Sequence, residues 1–368
     1  MRSLFIHLIF CLLVSFRVSA SVDSIIYHDA KDLAIIGKYH NEPNYHRLPA
    51  KYEAVVRKEV WELSNHSAGI SVRFRSNASE MHIRWTLSKA TYFPHMAWTG
   101  IGGLDLYVYE NGKWNFVQTA RPKGKTSEYL MFENKNGMER EYLLNLPLYD
   151  GVESVFIGVN SGATIARPKE RYLLDKKPVV YYGSSIAQGA SASRPGTAFT
   201  NFLARWLDRP FINLGFSGEG TFDESVGLAM CEMDVSLFVI DCNPNSDTSY
   251  ITERAVKLVR QLKRCRPDLP VLLVENFIYP NHAAMPENTM LIPDGKNYFT
   301  HIKMLKLLRV YEQLQTEGVK GLYYHKGRNL IGDDGEGTVD GSHPNELGMW
   351  RIASDLLPDL KKILKGAK

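Results

Sequence analysis

The sequence predicts an α/β protein in two parts, an all-β sandwich followed by a three-layer α/β/α domain on a parallel sheet. Two observations predict it. From about residue 50 to 165 apolar residues recur mostly with period two. Beyond Arg171–Pro178 short apolar runs alternate with stretches of helical period. A third observation sets the first twenty residues apart from either domain.

That opening stretch, "MRSLFIHLIFCLLVSFRVSA", has Arg2 near its start, an apolar core from Leu4 to Phe16, and the small residues Ser19 and Ala20 at its close. It reads as a secretory signal peptide over residues 1–20, cleaved near Ala20, so the mature chain is expected to be secreted or periplasmic. The apolar run is short for a membrane span. Ile9 and Phe10 are bulky where a lipoprotein anchor needs small residues, so lipidation of Cys11 is not expected. No later stretch is long and apolar enough for stable membrane insertion. With 44% hydrophobic and 23% charged residues the composition is that of a globular protein. The formal net charge of +4 over 368 residues comes from scattered basic groups, which argues against a nucleic-acid partner. Cys231, Cys242 and Cys265 remain after the leader. They form neither a disulfide framework nor a zinc-like spacing, and a single bridge stays open.

The sandwich is assigned residues 21–175. "ISVRFRS" puts Ile70, Val72 and Phe74 on one face, and "MHIRWTL" does the same with Met81, Ile83, Trp85 and Leu87. In "LDLYVYENGKWNFVQ", Asn111-Gly112 between alternating runs signals a hairpin, because both residues accept the positive φ of a type I′ turn. "SVFIGVN" is a further strand. The α/β domain is assigned residues 176–368. Its strands are "PVVYYG", "PFINLGFSG", "VSLFVIDCNPN", "PVLLVEN" and "GLYYHKG". Helical spacing places Phe199, Phe202, Leu203 and Trp206 on one face of one helix, and Ile251, Ala255, Leu258, Val259 and Leu262 on one face of another. Two more amphipathic stretches, "YFTHIKMLKLLRVYEQLQ" and "NELGMWRIASDLLPDLKKIL", follow.

Parallel sheets of this kind place chemistry at the carboxyl ends of their strands. Four segments there are unusual: Gly183-Ser184-Ser185, "NLGFSGEG" (213–220), "DCNPN" (241–245) and "GTVDGSHPNELG", where Asp340 precedes His343 by three residues. Acyl transfer needs a hydroxyl nucleophile, a base, a group that orients the base, and donors for the oxyanion. Asp-x-x-His can fold back so that the carboxylate meets the imidazole. A glycine N–H can approach a substrate closely, and an asparagine amide adds a donor. Each segment alone has a plainer reading as a turn, a capping histidine or an acidic loop. Their joint order and placement is what the plain readings do not predict.

The set resembles the SGNH (GDSL-type) hydrolase superfamily. "GSSI" resembles its first block, which puts Ser185 in the nucleophile position with Ser184 as a structural neighbour. "FSGEG" resembles the second, with Gly218 as an oxyanion donor. "DCNPN" departs from the usual Gly-x-Asn-Asp of the third, so Asn245 and, second to it, Asn243 are the candidate amide donors. "DGSH" resembles the last block, giving Asp340 and His343. The Ser185 N–H would be the remaining oxyanion donor. Gly103-Leu104-Asp105-Leu106-Tyr107 resembles the Gly-x-Asp-Leu-Tyr signature of a β-sandwich (jelly-roll-like) domain that precedes SGNH domains in bacteria. The resemblance implies a flavodoxin-like α/β/α hydrolase domain and a serine esterase that needs no metal or organic cofactor. With the expected export, it implies removal of O-acetyl groups from an acylated carbohydrate through a Ser-His-Asp triad. Other SGNH activities (lipase, lysophospholipase, thioesterase) and a non-catalytic glycan-binding protein are the alternatives. An α/β-hydrolase is disfavoured, because its Gly-x-Ser-x-Gly elbow is Gly-Ser-Ser-Ile-Ala here. Tyr92, Phe93 and Trp98 admit two readings, a sugar platform or, more commonly for such residues, core or interface packing. Arg194 is expected in a surface salt bridge rather than on substrate.

Overall fold

The computed structural model describes residues 24–133, 135–169, 176–279 and 298–366. The expected leader, its cleavage point and Cys11 lie outside the described residues, as does the stretch 170–175 at the expected domain junction.

The first half forms two antiparallel sheets. One has four strands in the order β1 (Ile25–Asp29), β9 (Val152–Asn160), β4 (Met81–Leu87), β7 (Thr126–Phe132). The other runs β10 (Ile165–Ala166), β3 (Ser71–Ser76), β8 (Arg140–Asn145), β5 (Leu104–Glu110), β6 (Lys113–Ala120), with β2 (Ala34–Ile36) also paired to β3. The alternation read from the sequence is the burial pattern. Ile70, Val72, Phe74, Met81, Ile83, Trp85 and Leu87 share one core and are fully buried. Asn111 (φ 55°) and Gly112 (φ 77°) turn β5 into β6, as their tolerance of positive φ predicts.

The period-two expectation fails at its start. Residues 50–64 hold a 3₁₀ turn (Ala50–Tyr52) and helix α1 (Lys58–Ser64), β1 and β2 precede them, and a short helix α2 (Trp98–Ile101) precedes β5. The reason is a different packing partner. Leu48, Tyr52, Val56 and Val60 bury themselves with Val180, Tyr182, Phe216 and Phe222 of the second domain, not in the sandwich core.

The second half is a five-stranded parallel sheet ordered β12 (Phe211–Gly215), β11 (Val179–Gly183), β13 (Leu237–Asp241), β14 (Val271–Val274), β15 (Leu322–His325). This is the 2-1-3-4-5 order of flavodoxin-like folds. Helices α5 (Glu224–Glu232), α6 (Ile251–Cys265) and α7 (Tyr298–Thr316) cover one face of the sheet. Helices α3 (Ser185–Gln188), α4 (Phe199–Leu207) and α8 (Glu346–Gly366) cover the other. Together with β11–β13, whose residues are all buried, they account for the continuous apolar runs in the sequence. Among the described residues no helix is long and apolar enough to cross a membrane.

Three details differ from or complete the sequence reading. Helix α5 buries Val226, Ala229 and Met230 against the sheet but leaves Leu228 half exposed on its other side, which blurs its helical period. Trp206, grouped above with the buried face of α4, is 37% exposed, because it sits in the last turn of the helix. Cys231 at the end of α5 and Cys265 at the end of α6 form a disulfide, and Cys242 stays reduced and buried.

Candidate active site

Strand β11 ends at Gly183, level with Gly215 of β12 and Asp241 of β13. The chain then turns into α3. The Ser184 hydroxyl accepts from the Ile186 N–H (3.3 Å) as the helix N-cap, which leaves Ser185 as the first helical residue. Ser185 Oγ lies 3.1 Å from His343 Nε2. His343 Nδ1 lies 2.7 Å from Asp340 Oδ2. Asp340 Oδ1 also accepts from the N–H groups of Ser342 (3.0 Å) and His343 (2.7 Å). Partial burial works to raise the Asp340 pKa, but these hydrogen bonds and the neighbouring imidazole outweigh it and hold the carboxyl below its ordinary range. It is therefore a carboxylate at neutral pH, suited to accept from Nδ1–H and leave Nε2 as acceptor for a hydroxyl. The loop is held by its own bonds. Val339 N–H donates to the His343 carbonyl (2.9 Å), and Asn345 Oδ1 caps α8 by accepting from Gly348 N–H (3.0 Å). The capping duty that His343 could have had falls to Asn345.

The loop after β12 carries Gly218 at φ 78°, a conformation that favours glycine, with open space where a Cβ would stand. Gly220 fixes this loop against the nucleophile strand. A Cβ there would lie 2.2 Å from the Gly183 carbonyl oxygen. Gln188 of α3 completes the attachment, its Oε1 accepting from Ser217 N–H at 3.0 Å.

The two candidate asparagines have different surroundings. Asn243 is fully buried, and its Nδ2 donates to Asn276 Oδ1 and to the Lys303 carbonyl, both at 3.2 Å. Its donors hold the loop to α7. Asn245 is half-buried, and among the described residues its side-chain amide makes no hydrogen bond, its Oδ1 being buried without a partner. Of the two, Asn245 is the amide available to another group.

The front domain builds much of what surrounds this point, and none of it was foreseen. The Tyr149 hydroxyl donates to the Ser185 carbonyl (3.2 Å). Gln188 Nε2 donates to the Leu148 carbonyl (3.1 Å) and to His66 Nδ1 (3.0 Å). Burial first, then the charges of Arg47 and Lys89, push the His66 pKa down to about 3, so the ring is neutral and Nδ1 can accept. Arg47 is buried, and among the described residues it has no carboxylate partner. It donates to the carbonyls of His66 (3.0 Å), Leu63, Asn213 (3.3 Å) and Gly215, the last two on β12. Arg194 is the cation the sequence placed in a surface salt bridge. It is a largely buried one that crosses the domains, to Asp105 of the Gly-x-Asp-Leu-Tyr signature (2.6 Å), with the Tyr107 hydroxyl at 2.6 Å.

Closest to the site is His95, whose ring centroid is 5.3 Å from that of His343. Ser191 Oγ holds its backbone by donating to the His95 carbonyl (3.2 Å). Of the aromatic residues in the same segment, Tyr92 is 70% and Trp98 36% exposed, so neither is a core residue, while Phe93 packs on the core and edge-on against Tyr149. His95, Asp340 and His343 offer ligand atoms within 4.8 Å of one another, spacing that a divalent ion could use. Such an ion would compete with the existing Asp340–His343 bond.

Comparison with known proteins agrees with this architecture. The GDSL-like lipase/acylhydrolase family matches residues 176–361, and the N-terminal domain of SGNH-hydrolase-type esterases matches residues 25–165. A GDSL-like lipase of Bacteroides ovatus is 35% identical, with 93% of this chain and 98% of that one covered at a TM-score of 0.86. The salicylyl-acyltransferase SsfX3 of a tetracycline biosynthetic pathway shares the fold at 15% identity (92% and 97% covered, TM-score 0.73). So does the acetyl xylan esterase Est2A of the rumen bacterium Butyrivibrio proteoclasticus, at 11% identity (93% and 99% covered, TM-score 0.55). No curated protein sequence matches the chain. With one family spanning the α/β domain, its companion spanning the sandwich and a relative similar over nearly the whole length, the chain belongs to the GDSL-like lipase/acylhydrolase family and carries the front domain of SGNH-type esterases.

Proposed function

We propose that the chain is an exported serine esterase that removes short acyl groups, acetate foremost, from a polysaccharide or oligosaccharide. The observation that carries the reading is the unbroken line Ser185 Oγ–His343 Nε2 (3.1 Å) and His343 Nδ1–Asp340 Oδ2 (2.7 Å) at the carboxyl end of a parallel sheet. In this mechanism His343 takes the Ser185 proton as Oγ attacks the ester carbonyl. Asp340 fixes the imidazole tautomer and stabilises the imidazolium. The N–H groups of Ser185 and Gly218 and the Asn245 amide receive the oxyanion. His343 then gives that proton to the departing sugar oxygen, which leaves as a hydroxyl as its bond to the acyl carbon breaks. The acyl-enzyme is hydrolysed by water, activated by the same imidazole.

The carbohydrate part of the reading draws on the acetyl xylan esterase among the fold relatives and on the rim. Tyr92 and Trp98 are exposed in the segment that brings His95 beside His343, and exposed rings beside a polar site suit the apolar face of a sugar. The leader read from residues 1–20 would deliver the enzyme to extracellular glycans.

Acetate release from acetylated xylan, glucomannan and pectin, alongside 4-nitrophenyl acetate and long-chain esters, tests the proposal with wild type and Ser185→Ala. Acetate from at least one glycan, abolished in Ser185→Ala, is expected. Equal rates for the two proteins would remove the nucleophile assignment, and cleavage of long-chain esters alone would remove the carbohydrate assignment.

A further inference from the structure

We propose that a string of aromatic rings, running from the exposed Trp350 and Trp206 to the half-buried Tyr109 and Trp114 of a groove between the two domains, is a second carbohydrate-binding surface. It would hold a polymeric substrate away from the reacting ester. The inference rests on the carbohydrate reading of the site for its ligand class, and on separate residues for its location.

The string begins next to the active-site loop. Helix α8 starts at Glu346, three residues after His343, and Trp350 lies one turn further, about 6 Å along the axis. Trp350 is 51% exposed, and its ring meets that of Trp206 edge-on at 6.3 Å. Trp206 ends α4 and forms one wall of an open groove of about 490 Å³. Tyr109 and Trp114, either side of the Asn111-Gly112 turn in the front domain, form the opposite wall, with their rings 5.1 Å apart. Lys113, Asp208 and Arg205 supply the polar part of the lining. Arg205 donates from Nη2 to the Gly196 carbonyl (2.8 Å), and its guanidinium stacks over the Tyr107 ring at 4.3 Å.

The chemistry selects the occupant. Exposed tryptophans at a helix end are expensive to keep in water unless something covers them. The centre of a protein–protein contact is depleted of charge, whereas charged and aromatic side chains alternate here. Flat apolar faces interleaved with hydrogen-bonding groups match a glycan, whose rings have an apolar face and a hydroxylated edge. A chain bound at both places gains from effective concentration, so the surface would favour polymers over small esters.

The test uses full-length protein carrying Trp206→Ala, Trp350→Ala or both, with thermal unfolding to establish that each folds. The ratio of acetate release from a susceptible acetylated glycan, at sub-saturating concentration, to hydrolysis of 4-nitrophenyl acetate should fall about tenfold in the double variant. In native gels containing xylan, glucomannan or pectin, Ser185→Ala should be retarded by at least one glycan, and adding the two tryptophan changes should abolish the retardation. An unchanged ratio in a wild type that does deacetylate polymers overturns this proposal and leaves the esterase reading intact. Glycan retardation that depends on the tryptophans, in a protein that releases no acetate, supports it while removing the esterase reading. No retardation by any glycan overturns it. So does glycan-independent loss of a dimer in light scattering on changing the tryptophans, which would make the patch a contact between copies.

Discussion

Asp105, wholly buried in β5 of the front sheet, accepts from Arg194 Nη1 of the α/β domain at 2.6 Å. The same carboxylate accepts from Gly196 N–H (2.8 Å) and Asn145 Nδ2 (2.8 Å). The Gly-x-Asp-Leu-Tyr signature is thus a clamp on the loop Arg194–Gly196, two residues before α4, and Tyr107 adds its hydroxyl to the grip. Removing one partner of a buried ion pair leaves the other uncompensated, which costs about 3–5 kcal/mol. Asp105→Ala is expected to lower the urea-unfolding free energy by that order, and Tyr107→Phe by about 1 kcal/mol. A loss below about 1 kcal/mol for Asp105→Ala would mean that the clamp does not hold the domains together.

What could be read from the sequence was local. Strands β11–β15, helices α4 and α6–α8, the Asn111-Gly112 turn and the Asp340–His343 pair all depend on residues within one element or one loop. What could not be read depends on residues far apart. Arg47 donates to a carbonyl 168 positions away, and nothing in "NYHRLPA" marks its arginine as buried. His95 reaches His343 only because its segment is held against the loop at Ser191 and Ser193, which no periodicity encodes. Three thiols permit three pairings, and only the juxtaposed ends of α5 and α6 choose Cys231–Cys265. Trp206 fits the helical stripe of α4 by spacing, but its final turn projects into the interdomain groove.

The two asparagines of "DCNPN" should separate by readout. Asn245→Ala removes the amide that nothing in the fold uses, so kcat should fall on the order of 10²–10³ with little change in unfolding temperature. Asn243→Ala breaks the bonds to Asn276 and the Lys303 carbonyl. It should destabilise the protein by roughly 1–3 kcal/mol, and activity should follow stability. If Asn243→Ala has the larger kcat loss at full folding, the oxyanion donor is Asn243 instead.

The Cys231–Cys265 bridge closes a loop with a sequence separation of 34. Chain entropy gives such a closure roughly 4 kcal/mol, an upper figure for native loops. Replacing both cysteines with serine should lower stability by up to that amount without changing kcat on a small ester. In protein made without residues 1–20, thiol titration should find no reactive group when folded and one, Cys242, after denaturation. Two or more reactive thiols in the folded protein would contradict the pairing.

Asp241 ends β13 beside Gly183, fully surrounded by protein, with the Tyr181 hydroxyl donating to its Oδ2 at 3.0 Å. Burial pushes its pKa up to about 8, against the opposing effect of the tyrosine hydrogen bond. Between about pH 4 and 8 the folded state therefore keeps a proton that the unfolded state has released, so stability falls as pH rises through that window. His66 acts with the opposite sign. Its pKa is depressed from 6.5 to about 3, so its contribution is complete above 6.5 and is lost as pH falls. The two slopes offset each other in the acid range and separate above pH 6.5, where Asp241 acts alone. Unfolding free energy should decline between pH 6.5 and 8 with a slope approaching about 1.4 kcal/mol per unit. Asp241→Asn keeps the shape and still accepts from Tyr181, but cannot ionise. It should lack this term altogether, so its excess over wild type should grow as pH rises from about 4 to 8, and the decline above pH 6.5 should vanish. If the variant declines as steeply as wild type, the alkaline limb belongs to another group.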